Sequence, residues 1–343
     1  MSPRDPLPLR RATTSLRMLC AGLMLLLAVG LGSSPRRNFD GTEKPVGTEN
    51  RDPVTELGVA GVEKLESPTI ENLFRLAPGL YSGGQPNGEA GLEALRTMGV
   101  RTIISVDGTP PPVEAARKLG IRYVHLPIGY DGLRRDKLPI MIKAVRELPG
   151  PVFIHCHHGK HRGPAAAAAC AIARNNWSRS EAEAWLKMAG TDPAYRGLYR
   201  DVRELAIPTV AETKELPADF PESVPTPSLV DAMLGIDRLH DELKGLAKRE
   251  WKSTGDSRTA PPEVAVQLLE AYRELSRNSD SERKGSGFQA QLKTAEQAAD
   301  TLRVELEQLA KSTDSKETAT RANQALDRVS KSCKTCHGEY RDK

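Results

Sequence analysis

A change of hydrophobic rhythm across residues 207–227 constrains this chain more than any other feature, because it rules out one continuous core. Before that segment, from Pro68 to Ala206, short apolar runs alternate with helical stretches, the pattern of an α/β unit. After it, from residue 228 to 343, apolar residues recur only at three- and four-residue steps, which is all-helical. The segment itself has five prolines and no apolar period, and reads as a Pro-rich linker. The expectation is therefore an α/β domain over 68–206, a central sheet flanked by helices, followed by a helical bundle over 228–343. A length of 343 residues with 38% hydrophobic content suits two such cores.

The first 35 residues read as an export signal or an N-terminal anchor. Arg4, Arg10, Arg11 and Arg17 form a basic stretch, and Met18 to Gly32 form an apolar one. No Ala-x-Ala site follows, so cleavage and anchoring both stay open; either places the protein in the periplasm or another exported compartment. Residues 36–67 are polar and rich in Gly, Pro, Glu and Thr, a flexible tether. The formal charge of +4 is largely a leader effect, since the first seventeen residues hold four arginines and one aspartate, leaving about +1. Such a balance, with no basic patch interleaved with aromatics, argues against nucleic acid as a partner. Five cysteines are too few for a disulfide scaffold, and no apolar run reaches the length of repeated membrane spans.

Within the first domain, Arg101–Val106, Arg122–Ile128 and Pro151–His155 are expected strands. Helices are expected at Glu89–Met98, Pro112–Leu119, Asp136–Leu148, Pro164–Arg174 and Ser178–Ala189, the last opened by the capping box Ser178-x-x-Glu181. In the second, four amphipathic helices follow one another. Their stripes run through Leu229, Met233, Ile236 and Leu243; Val264, Leu268 and Tyr272; Phe288, Leu292 and Leu302; and Ala322, Leu326 and Val329.

The first chemical signal is His155-Cys156-His157-His158-Gly159-Lys160-His161-Arg162-Gly163-Pro164, lying between an apolar strand and an alanine-rich helix. A strand–loop–helix turn aims backbone N–H groups and the positive end of the helix at one point. That favours a cysteine thiolate, and Arg162 can return to grip two phosphate oxygens. His157, His158, Lys160 and His161 would make a cationic rim for a phosphorylated substrate, with Gly159 and Gly163 lending backbone. A metal site built from the loop's histidines and Cys156 is a competing reading, opposed by the tightness of the loop. The region resembles the cysteine-based protein tyrosine and dual-specificity phosphatases over residues 68–200, including Leu80-Tyr81-Ser82-Gly83-Gly84-Gln85-Pro86. The resemblance implies that Cys156 attacks phosphorus to form a phosphocysteine, that Arg162 holds the equatorial oxygens, and that a nearby carboxyl protonates the leaving group. Asp131 is the choice for that acid, with Asp136 and Asp107 as competitors. Gly163 departs from the Ser or Thr usual in the family, which bears on breakdown of the phosphoenzyme.

The second signal is Cys333-Lys334-Thr335-Cys336-His337, the pattern of covalent c-type haem attachment. On a helix the two thiols and the imidazole share one face. A redox pair or half of a zinc site are the rival readings; the first usually follows a strand, and the second lacks its other cysteine pair. Residues 225–343 resemble cytochrome c prime, in which the motif sits in the last helix with an arginine four residues on, here Arg341. The resemblance implies one haem c bound through Cys333 and Cys336, His337 as iron ligand, and an apolar distal face open to small gases. Met233 is a candidate sixth ligand, whereas His240 reads as a surface or core histidine. A redox partner or gas ligand, and self-association through the bundle, are the corresponding partners. Cys170 reads as packing, as do Trp177, Trp185 and Trp251.

Together these readings describe an exported phosphomonoester phosphatase carrying a haem. The competing class is a haem-based electron-transfer or gas-binding protein whose first domain only binds phosphate.

Overall fold

Period-two alternation along three buried strands organises the first domain. In the computed structural model, which describes residues 58–133, 136–204, 206–217, 219–253, 255–312 and 315–341, the chain begins with β1 (Glu63–Lys64), β2 (Phe74–Ala77) and β3 (Leu80–Gly83). It continues through α1 (Gly88–Thr97), β4 (Thr102–Ser105), α2 (Val113–Lys118), β5 (Arg122–His125), α3 (Leu138–Glu147) and β6 (Val152–His155). Helices α4 (Arg162–Asn175), α5 (Arg179–Met188) and α6 (Arg196–Glu204) complete the domain. The sheet order is β1-β2-β3-β6-β4-β5, antiparallel at the β1–β2–β3 edge and parallel from β3 onward. Ile103, Tyr123 and Phe153 pack with Leu92, Leu95 and Ala116 on one face. Their neighbours Ile104, Val124 and Ile154 face α3 and α4 on the other. A strand covered on both faces needs apolar residues at both parities, which is why RTIISV and PVFIH are nearly continuous apolar runs.

Helix α4 is buried from Arg162 to Ala171, including the run Ala165–Ala169. Alanine lets this central helix approach the sheet and its neighbours closely on every side. The indole of Trp185, fully buried, donates to the Pro164 carbonyl (3.0 Å) and holds the start of α4 in place. Trp177 and Trp251 are buried as well, the latter donating to Asn323 Oδ1 at 3.0 Å.

Two expected boundaries move. Within the 36–67 tether, residues 58–67 are structured: Val59 is buried in the main core and β1 pairs with β2. The leader (1–35), Cys20 and residues 36–57 lie outside the described residues. The linker over 207–227 carries a short helix, α7 (Val210–Glu215), capped by Thr209, and it lies against the first domain. Lys143 Nζ donates to the Thr213 carbonyl (2.9 Å), Arg146 to the Thr213 hydroxyl (3.0 Å), and the Val224 amide to His125 Nδ1 (2.9 Å). Prolines suppress helix but leave carbonyls free, and buried side chains from the domain collect them.

The helical region contains α8 (Leu229–Lys248), α9 (Pro261–Ser276), a short α10 (Ser279–Arg283), α11 (Ser286–Lys311) and α12 (Ser315–Tyr340). The apolar stripes read from the sequence meet in one core. Helix α9 differs from its neighbours: eleven of its sixteen residues are buried. One face joins the bundle core, while Val266 belongs to the core of the first domain. The two domains therefore share α9.

Glu263, in the first turn of α9, is buried in this seam with Oε1 unpartnered and Arg196 Nε 3.9 Å away. Burial raises its pKa to about 7, against the pull of Arg196 and Arg200. A carboxyl raised in the folded state binds its proton more tightly there, so stability is lost as pH rises from the unfolded value through about 7. Glu263→Gln should therefore stabilise the protein at pH 8 by on the order of 1–3 kcal/mol and leave it unchanged near pH 4. Urea denaturation at the two pH values measures this; an equal effect at both would refute it.

Candidate functional site

Strand β6 delivers His155 and Cys156 to the centre of the parallel sheet edge, and the chain turns through residues 157–161 into α4. Donors outside the loop draw its carbonyls outward. The Gln85 amide binds the His157 carbonyl (2.8 Å), Asn72 Nδ2 that of Gly159 (2.9 Å), and the Thr191 hydroxyl that of Lys160 (2.6 Å). Because peptide N–H and C=O point in opposite directions, outward carbonyls turn the amides of the loop inward, as an anion cradle requires. Gly159 has φ +68°, and a Cβ there would run into the backbone of Gly83 and Gly84. This explains why the Gly83-Gly84 pair and Gly159 occur together. Gly163, the residue after Arg162, packs its α-carbon against the nucleophile: a Cβ would lie 2.9 Å from Cys156 N and 3.3 Å from Sγ.

Arg162 opens α4 and lies beside Cys156, 2% exposed against 4% for the cysteine. Its Nη2 donates to Asp107 Oδ2 (3.0 Å) and Glu274 Oε1 (2.5 Å), its Nη1 to the Ile128 carbonyl (3.4 Å), and its face lies 4.3 Å from the Tyr130 ring. Arg277 approaches the same group, donating to Asp107 Oδ1 (2.6 Å) and Thr109 Oγ1 (3.0 Å). Burial opposes ionisation of Asp107, but Arg162 and Arg277 outweigh it and hold the carboxyl well below the usual range. Burial instead raises Glu274, against the pull of Arg162. Asp107 is thus a permanent anion that fixes the guanidinium, unsuited to giving a proton.

Of the acids named from sequence, the structure puts Asp107 at Arg162 and Asp131 elsewhere. Asp131 is exposed and lines a separate groove with Arg200, Asp201 and Arg258; its carbonyl accepts from Arg200 Nη2 at 2.7 Å. Tyr130, its neighbour, takes the place over Arg162 instead. Asp136 is exposed in the turn before α3.

The cationic rim is also corrected. Burial lowers the pKa of His157, with Arg277 adding to the effect, and that of His161, each to about 4, so both are neutral near pH 7. His161 stacks on Tyr195 with ring centres 4.1 Å apart. His158 bonds Glu71 (2.9 Å), away from the cysteine, and Lys160 is exposed. His155 is fully buried, facing the Cys156 carbonyl at 3.1 Å, with its pKa lowered to about 4 by burial. The His157 and His158 rings lie 4.1 Å apart, but among the described residues no three potential ligand atoms of this loop converge on one point, which opposes the metal reading. Cys170 is buried in α4 with its thiol pushed up to about 12 by burial, a packing residue.

In the bundle, Cys333, Cys336 and His337 line a crevice of about 840 Å³ between α12 and α8. Tyr272, Phe288 and Leu292 line its sides, and Arg341 stands at its rim. Val230 (67%) and Leu234 (56%) on α8 are large apolar side chains exposed in this crevice. A flat apolar group held by the two thiols would cover them, so the residues present fit a haem. Met233 also lines the crevice. His240 bonds the Ser330 hydroxyl through Nε2 (2.9 Å), a structural role.

Sequence reasoning missed Glu274, Arg277, Glu270, Tyr195 and Tyr130. Glu270 accepts from the Tyr195 hydroxyl at 2.5 Å and from Arg273 at 2.6 Å. The available signal was in α9, where acidic and basic residues interleave with a broad apolar stripe. Such a helix has no solvent face to spare.

Residues 234–341 match the family model described as Cytochrome C'. The dual specificity protein phosphatase TpbA of Pseudomonas aeruginosa (strain UCBPP-PA14) is 28% identical over 117 residues, 34% of this chain and 52% of that protein. The chain thus spans about half the length of the curated relative it matches. The crystal structure of P. aeruginosa TpbA is 25% identical, covering 42% of this chain and 90% of that one with a TM-score of 0.36. The core catalytic domain of the PP-IP phosphatase SIW14 from S. cerevisiae is 17% identical, covering 38% and 83%, with a TM-score of 0.35. The chain therefore joins a region similar to a dual specificity phosphatase to a C-terminal region that matches the Cytochrome C' model.

Proposed function

We propose that this protein is an exported phosphomonoester phosphatase, of the protein tyrosine or dual-specificity type, carrying one covalently attached haem c in its bundle. The observation that carries the reading is the loop of Cys156 and Arg162: a nucleophile and a two-pronged cation at opposite ends of one anion cradle. The thiolate of Cys156 attacks phosphorus, a sulfur–phosphorus bond forms, and the phosphorus–oxygen bond to the leaving group breaks. Arg162 and the loop amides hold the remaining oxygens while their charge redistributes. Water then cleaves the phosphocysteine and restores the thiol. The leader read from the sequence supports export.

In the bundle, Cys333 and Cys336 would hold the haem by thioether bonds and His337 would ligate its iron. When bound, the group supplies a redox or small-gas-binding centre. The side chains of α8 would close its distal side, with Met233 the available sulfur ligand.

An aryl phosphate whose leaving group is a weak base needs no acid, so it tests the nucleophile and the cation alone. With p-nitrophenyl phosphate under reducing conditions, Cys156→Ser should lower kcat by at least about 1,000-fold. Arg162→Lys, which keeps charge but loses the fork, should cost roughly 100-fold or more in kcat/KM. Wild-type hydrolysis that survives Cys156→Ser would refute the phosphocysteine route. For the bundle, acid–acetone extraction should leave haem on the wild-type polypeptide and remove it from the Cys333→Ala/Cys336→Ala variant. Haem retained by that variant would refute thioether attachment.

A further inference from the structure

Helix α9 places a carboxylate where the pocket of Cys156 needs an anion. Glu274 Oε1 sits 2.5 Å from Arg162 Nη2 and 3.3 Å from Arg277 Nη1. Its other oxygen crowds the loop after β4, so that a side chain at Gly108 would lie 2.6 Å from it. A guanidinium binds a phosphoryl group through two neighbouring N–H groups. Glu274 engages Nη2 alone, sharing it with Asp107, and Arg162 Nε is buried without a partner. A planar carboxylate thus half-satisfies a site that a tetrahedral dianion would fill. With it in place, Cys156 is sealed from solvent.

The same helix reaches the other site. Tyr272 stands two residues before Glu274, roughly 200° around the helix, and its hydroxyl lies 3.4 Å from Cys333 Sγ. One rigid element therefore has one face on the nucleophile's pocket and the other on the haem-attachment thiols.

We propose that Glu274 is a built-in substrate mimic that closes the Cys156 pocket, and that α9, through Tyr272, couples this closure to the state of the haem crevice. The purpose of the device rests on the phosphatase reading; its test does not. A phosphate ester reaches Cys156 only after Glu274 has left Arg162, and in this proposal α9 withdraws from the first domain as it leaves. That shift carries Tyr272 past Cys333, so whatever fixes Cys333 also resists or favours opening.

The test uses the full, haem-loaded chain and two readouts independent of turnover. One is the rate at which iodoacetate alkylates Cys156, followed by peptide mass spectrometry. The other is tungstate affinity by calorimetry in a Cys156→Ser background. Glu274→Ala should raise alkylation and tighten tungstate at least tenfold each. Glu274→Gln, which keeps the shape of the side chain and so guards against misfolding, should shift both in the same direction. Unchanged values in both variants overturn the mimic, as does lost p-nitrophenyl phosphate turnover with tungstate affinity unchanged, which would make Glu274 a catalytic group. Tighter tungstate with no hydrolysis in any variant sinks the phosphatase reading and leaves the mimic standing. For the coupling, alkylation of Cys156 should differ at least threefold between the haem-loaded chain and the haem-free Cys333→Ala/Cys336→Ala chain. Tyr272→Phe should narrow that difference. Equal rates in the loaded and haem-free chains overturn the coupling.

Discussion

A guanidinium sealed away from water sets the terms for the rest of this structure. A buried charge without partners costs far more than a domain can spare, so Arg162 must be matched where it lies. Its partners come from distant parts of the chain: Asp107 from the end of β4, Glu274 from the bundle, and the Tyr130 ring from the loop after β5. Arg277 then balances the second charge, bonding both Asp107 and Glu274. Two cations and two anions form one neutral group, and removing Asp107, as buried as Arg162 itself, leaves a buried charge uncompensated, at about 3–5 kcal/mol. The orientation of Arg162 and part of the docking of the second domain thus rest on the same four side chains.

The pocket is electrostatically simpler than its density of histidines suggests. His155, His157 and His161 are neutral near pH 7 because burial disfavours their charged forms. With Arg162 and Arg277 offset by Asp107 and Glu274, the positive potential around Cys156 comes from the inward amides and the start of α4. None of these sources titrates near neutrality, so the cradle keeps its sign across the physiological range. The imidazoles act as shape: His161 and Tyr195 stack into a wall, and Tyr195 extends that wall to Glu270 on α9.

What the sequence made legible was local. The spacing from Cys156 to Arg162 and that from Cys333 to His337 each lie within one turn or one helix, so residue order nearly determines geometry. The strands β4, β5 and β6 were visible because burial on both faces demands unbroken apolar runs. The strands β1, β2 and β3 were not, being interrupted by Glu63, Lys64, Arg75 and Ser82. The stretch 207–227 looked like a free linker because its prolines say only what it cannot form. The donors that pin it, Lys143 and Arg146, lie some 60 to 70 residues away in sequence. Asp131 shows the same limit at the site itself. Its place in the chain suits an acid beside Cys156, but which of two adjacent side chains turns inward is decided by packing, and Tyr130 turns inward.

The seam along α9 is where two kinds of stability meet. On its bundle side the helix contributes Leu268, Leu269, Tyr272 and Leu275 to a continuous apolar core, and each such side chain is worth about 1.5–3 kcal/mol when buried. On its other side the contacts are mostly polar, and Glu274 and Arg277 keep 27% and 22% of their side chains exposed. Ion pairs that retain that much water contribute little more than about 1 kcal/mol each. The weak plane therefore runs between α9 and the first domain, not through the bundle. Thermal opening of this protein should follow that plane, since separating polar, partly wetted contacts costs less than breaking an apolar core. The plane passes through the Arg162–Glu274 contact, so the easiest motion available to the two domains is the one that uncovers Cys156.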